Sequence, residues 1–186
     1  MVLAIFAVSC GYQSAKKTTE NVEVTIIQNV EAKAFFESLK QLCGKSFAGK
    51  ELFVKEGRES WSHLALTMHI TKCVNDTVFI PFHVGENKSR TWMLMNENGL
   101  LRFRHDHRHE DGTPEDLTLY GGYATDNGTP FYQEFPADDY TIEVHPRSMG
   151  AIWVLQLSDD LSTFNYQLHH NGELLFEAEF DLTKEL

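Results

Sequence analysis

The sequence is short of positive charge. Sixteen Lys and Arg stand against 27 Asp and Glu in 186 residues, a net charge of −11. A general nucleic-acid binder needs a basic face for phosphates, so that class is excluded. Cysteine is also scarce, three residues in all. None lies in a C-x-x-C, which leaves redox catalysis without a basis, and no C-x-x-C-H is present to attach haem covalently. No G-x-S-x-G turn exposes a nucleophilic serine, and nothing among the many acids singles out a catalytic carboxylate pair. Gly44-Lys45-Ser46 has the ending of a phosphate-binding loop, but Leu39 holds the first glycine position and the residues before it have helical spacing. There is no internal repeat or low-complexity run. With 42% hydrophobic residues the chain has the size and composition of one globular domain with a substantial core.

Long apolar runs are missing too. The opening MVLAIFAVSC is too short for a membrane-crossing helix, which needs ~20 residues. Instead, Ala7-Val8-Ser9-Cys10 resembles a bacterial lipobox. Cleavage before Cys10 and a lipid on that cysteine are what this resemblance implies, with the anchor as the chain's contact with membrane. Gly11 is not the aspartate that holds some lipoproteins at the inner membrane, so the outer membrane or cell surface is the expected place. Residues 1–10 then form a signal-like segment, the polar residues 11–28 a tether, and 29–186 a single domain, expected as a monomer.

What the chain does have is alternation. One helix is expected over 31–42, where Ala32, Phe35, Phe36, Leu39 and Leu42 share a face, with Asn29 as N-cap and Gly44 as C-cap. Strands are expected over 64–71, 78–84, 89–96, 100–109, 117–123, 131–135, 140–144, 152–157, 164–170 and 174–182. Turn pairs such as Asn98-Gly99, Asp111-Gly112, Asn127-Gly128 and Asn171-Gly172 adopt positive φ at little cost, as tight hairpins require. About ten short antiparallel strands predict an all-β barrel with one N-terminal helix packed on it, since closure removes exposed edges. Gly121-Gly122 marks a bend or a close backbone approach.

The polar feature that stands out is Leu100 to His109. His105, His107 and His109 alternate with Arg102, Arg104, Asp106 and Arg108, so a regular strand would turn the histidines to one face, in phase with Leu101 and Phe103, and the arginines to the other. His105 and His107 are the expected inward polar groups of a ligand site, with Arg90 and His83 on preceding strands assisting. Histidines at i and i+2 of a strand can converge on one transition metal, zinc above all. Three in a row span too far, so a metal site would take two of His105, His107 and His109 plus His83 or Glu110. Such a site would support a zinc-type hydrolase. Haem held by a lone histidine is a further cofactor option.

Leu42, Gly44, Phe47 and Gly49 resemble the G-x-W start of calycin and lipocalin-like barrels, with Phe47 at the tryptophan position. Over most of its length, through LCGKSFAGK, IPFHVGENKSRTW, HDHRHEDGTPE, YGG, QEFPAD and FDL, the chain resembles a family of uncharacterised exported bacterial proteins. The spacing of Cys43 and Cys73 alone leaves a disulfide and two buried thiols equally open. The family resemblance, with its envelope setting, implies the disulfide. The calycin resemblance implies a barrel interior that holds a small apolar molecule, which makes a small-ligand-binding lipoprotein the leading expectation. A metal-dependent hydrolase or a purely structural envelope protein are the alternatives.

Overall fold

A computed structural model describes residues 25–186. Cys10, the signal-like segment and most of the expected tether lie outside these residues. Eleven strands form one antiparallel sheet: β1 (Ser46–Val54), β2 (Leu66–His69), β3 (Lys72–Val74), β4 (Thr77–Val84), β5 (Asn87–Glu97), β6 (Leu100–His107), β7 (Tyr120–Tyr123), β8 (Tyr132–Pro136), β9 (Ala151–Leu157), β10 (Thr163–His170) and β11 (Glu173–Glu185). Ten of them run in the order β7-β6-β5-β4-β2-β1-β11-β10-β9-β8, and β3 pairs only with β4. The result is a nearly closed ten-strand antiparallel barrel with one helix near the N-terminal end, the expected fold class.

The period of two decides what fills it. On β4, Val78, Ile80, Phe82 and Val84 point inward and are buried. Trp92 and Leu94 do so on β5, Leu101, Phe103 and His105 on β6, and Phe176, Ala178 and Phe180 on β11. The two end strands meet along a seam, where the Thr125 N–H donates to the Glu134 carbonyl and the Asp138 N–H to the Gly121 carbonyl, each at 3.0 Å. Gly121-Gly122 makes that approach possible. A Cβ on Gly122 would lie 1.7 Å from the Pro136 oxygen, and one on Gly121, at φ +153°, 2.0 Å from the Phe103 oxygen.

One end of the barrel is stoppered. Helix α1 (Val30–Lys40) begins at Asn29, whose side-chain oxygen accepts from the Glu31 and Ala32 N–H groups at 3.0 Å, and it buries Ala32, Phe35, Phe36 and Leu39. Gln28 N–H donates to the Gly99 carbonyl in the β5–β6 turn (2.9 Å), and Ile27 is buried in the core, so the packed domain reaches back into the stretch expected to be tether. Gln41, not Gly44, is the C-cap. Gly44, at φ +89°, redirects the chain while its N–H donates to the Ile70 carbonyl (2.7 Å). Cys43 and Cys73 are joined, with Cα atoms 6.1 Å apart.

One expected strand is a helix. Residues 140–144 fall within α2 (Asp139–Val144), followed by a 3₁₀ turn at Pro146–Ser148. Tyr140, Ile142 and Val144 alternate in sequence, but Asp138 caps the Thr141 N–H (3.0 Å). Thr141 Oγ1 donates to the Gly121 carbonyl and accepts from the Gly121 N–H, both at 2.7 Å. Capping and these long-range bonds override the local strand preference.

Candidate functional site

The end opposite α1 is open. The connections after β1, β6 and β8 surround it with Arg58, Glu59, Leu117, His145 and Arg147, and the end of β10 adds His170. Below this mouth lies a cavity of about 710 Å³, in the range of small-molecule sites. Its walls are strongly aromatic: Trp61, Phe82, Trp92, Tyr120, Trp153, Tyr166 and Phe176. Trp92 is fixed between Phe82 and Tyr166, with ring centroids 4.5 Å away on either side and planes nearly parallel. Trp61, carried in by the β1–β2 connection, meets Phe176 edge-on at 5.0 Å. That connection is tied down by Glu51, whose carboxylate accepts from Ser60 Oγ (2.7 Å) and the Trp61 N–H (2.5 Å).

Two of the stripe histidines line the cavity. His105 is 3% exposed. Its Nδ1 faces the Tyr120 carbonyl at 3.2 Å and its Nε2 the Tyr166 hydroxyl at 3.0 Å. A carbonyl only accepts, so Nδ1 carries the proton and the Tyr166 hydroxyl donates to Nε2. Burial pushes the imidazole pKa down to about 3, the Tyr120 carbonyl opposing, while burial drives the Tyr166 hydroxyl well above its usual value. Both groups are neutral near pH 7. The Tyr120 ring stacks on His105 at 4.5 Å, and its hydroxyl lies 3.0 Å from His107 Nε2. The Glu115 carboxylate lies 3.6 Å from His107 Nδ1. Burial and the Arg90 guanidinium lower the His107 pKa, with Glu115 and Asp106 opposing.

Arg90 also lines the cavity, two residues before Trp92 on the same face of β5. Its guanidinium carbon lies 5.3 Å from the centre of the Trp61 ring. Among the described residues its Nη1 is buried without a hydrogen-bond partner.

The other proposed ligands are elsewhere. His83 alternates with the buried Phe82 and Val84 and so points out of the barrel, where its Nδ1 lies 3.1 Å from His69 Nε2. It cannot join His105 and His107. The regular strand ends at His107, and His109 and Glu110 are exposed in the hairpin turn, the His109 N–H donating to the Thr113 carbonyl (2.9 Å). Among the described residues no three His, Cys, Asp or Glu side chains are grouped to hold a metal ion. Both ring nitrogens of His105 face protein partners, the Tyr120 carbonyl and the Tyr166 hydroxyl. The arginines of β6 take the opposite face from the histidines. Arg104 lies buried under α2, its Nη1 donating to Asp138 Oδ1 at 3.1 Å and its Nη2 to Oδ2.

Several lining residues carry no signal in the sequence beyond apolar phase. Trp92 and Trp153 read as plain core, and Tyr166 shares the inward phase of Phe164. Arg58, His145, Arg147 and His170 come together only because their connections stand at one end of the barrel. No protein-family model, curated protein or solved structure matches this chain.

Proposed function

We propose that the protein is a small-ligand-binding barrel of the bacterial envelope, lipid-anchored through Cys10, whose ligand carries a flat apolar body. The observation that carries the reading is the cavity of about 710 Å³ walled by aromatic rings and open at one end. Rings locked against one another, as Phe82, Trp92 and Tyr166 are, offer apolar surface with little ordering cost on binding. The Ala7–Cys10 pattern and the Cys43–Cys73 bond support the envelope setting, since disulfides persist in oxidising compartments. The zinc-hydrolase alternative loses support because the histidines do not converge.

The test is a titration with N-phenyl-1-naphthylamine, a neutral dye that brightens in apolar sites. Saturable one-to-one binding is expected, abolished in Leu168→Trp, which places an indole in the cavity. Unsaturable brightening, or unchanged binding in that variant, would move the site elsewhere. No binding at all would favour a structural role. Intact mass of the protein from its own host should show lipid on Cys10, and a free Cys10 would remove the anchor.

A further inference from the structure

The six arginines divide into two sets by their surroundings. Arg102, Arg104 and Arg108 each have a carboxylate within ion-pair distance, from Glu97, Asp138 or Asp106. Arg58, Arg90 and Arg147 are the three that line the cavity, and among the described residues none of them has a carboxylate partner, in a chain with 27 acids. Among the described residues Glu59 is the one acid that also lines the cavity, at its exposed mouth.

Arg90 is the member of the set set back from the mouth. Its guanidinium is permanently charged, and an unpaired charged donor out of water is costly. Stacking over Trp61 compensates in part, but Nη1 remains without an acceptor. Arg102 Nε is likewise unpartnered, yet the other nitrogens of that group pair with Glu97 and Asp138. Arg90 has no carboxylate partner among the described residues, and Nη1 is the nitrogen of its group that is buried without an acceptor. The neighbouring side chains are occupied with one another. His107, opposite Arg90 in the β5–β6 register, is bonded to Tyr120, and His105 to Tyr166.

We infer that the ligand is a small organic monoanion, a carboxylate on a flat apolar body, whose acid group is bound by Arg90. This deepens the ligand-binding reading and rests on it. One fixed cation set back among aromatic rings matches one negative charge, and the planar fork of a guanidinium suits a carboxylate. Arg58 and Arg147, exposed at the mouth, would attract an anion towards an otherwise acidic molecule.

The experiment compares two probes of equal shape, 1-naphthylacetate and 1-naphthylacetamide, by calorimetric titration of the full chain. The parent should bind the acid about 10- to 100-fold more tightly than the amide, the range for a hydrogen bond to a charged group. Arg90→Met should abolish that preference, the acid losing far more affinity than the amide, because it removes the charge and keeps an apolar stem. Arg90→Lys should retain a reduced preference, and it serves if the methionine variant does not fold. An acid bound no more tightly than the amide by the parent overturns the inference, as does a preference that survives Arg90→Met. In either case binding of the amide or of N-phenyl-1-naphthylamine leaves the ligand-binding reading standing. If none of the three compounds binds, that reading and the inference fall together.

Discussion

His105 shows how one residue can be polar, central and uncharged. Its position on β6 is in phase with Phe103, so strand geometry carries it inward whatever its polarity. The Tyr120 carbonyl and Tyr166 hydroxyl meet its two nitrogens, which satisfies the imidazole only in its neutral form. Burial therefore holds the folded pKa at about 3, far below the ordinary value of about 6.5. The direction of the pH effect follows. As pH falls below the unfolded value, the unfolded chain takes up a proton that folded His105 refuses, so stability is lost on acidification. The contribution is full above about pH 6.5 and declines at up to about 1.4 kcal/mol per pH unit towards the folded value. His69, His83 and His107 act in the same direction, since burial lowers all three. Urea unfolding at successive pH values should therefore show a steeper loss below about pH 6.5 for the parent than for His105→Gln, where the other three remain. Equal slopes would mean that His105 accepts its proton in the folded state.

Among the elements, α2 and the β7–β8 seam meet at one residue, Asp138. Asp138 caps the helix through the Thr141 N–H, grips Arg104 through two oxygens and reaches Arg102 at 3.3 Å. Its backbone N–H also bridges the seam to Gly121. Because the Arg104 side chain is only 4% exposed, removing its partner leaves a buried charge unpaired, the costly case for a buried ion pair. Asp138→Ala should lower stability by about 3 kcal/mol or more, the sum of a lost cap and a stranded guanidinium. Asp138→Asn keeps the cap and should lose less. Chemical denaturation of the two variants decides the matter, and near-neutral effects would show that water replaces the carboxylate at Arg104. This element also marks where sequence reading fails. Alternation alone describes β4, β5, β6 and β11 well, because each has one face in a continuous core. Tyr140, Ile142 and Val144 alternate just as cleanly, yet what decides them is Asp138 at one end and Arg104 and Gly121 from distant strands. Asp138 is adjacent in sequence, but Arg104 and Gly121 are not. His83 failed for a related reason. Its type fitted a ligand, but its phase against Phe82 and Val84 put it outside, and that phase could have been read from the chain.

At the scale of the whole molecule, the barrel has a stoppered end and an open end, and the two carry different burdens. The barrel itself was legible, since paired turn signals and ten alternating stretches leave few other arrangements. The cavity was not, because it depends on strand order, which decides that the connections holding Arg58, Leu117 and Arg147 face one another. The stoppered end is built from α1 and the strand ends beneath it. Cys43 follows α1, and Cys73 lies on β3, which pairs with the start of β4, so their bond ties the helix to the sheet at the end away from the mouth. A cross-link over 30 residues restricts the unfolded chain and contributes roughly 3–4 kcal/mol in the loop-entropy picture. Reduction, or the double variant Cys43→Ser/Cys73→Ser, should therefore lower the urea midpoint substantially. No cavity-lining residue lies on α1 or β3, so the variant, held well below its unfolding transition, should bind N-phenyl-1-naphthylamine within about twofold of the parent, a difference worth only ~0.4 kcal/mol. An unchanged midpoint would mean that α1 holds by packing alone. Lost binding in a folded, reduced protein would mean that stopper and cavity are one cooperative unit, with Phe35 and Leu39 supporting the aromatic wall from below.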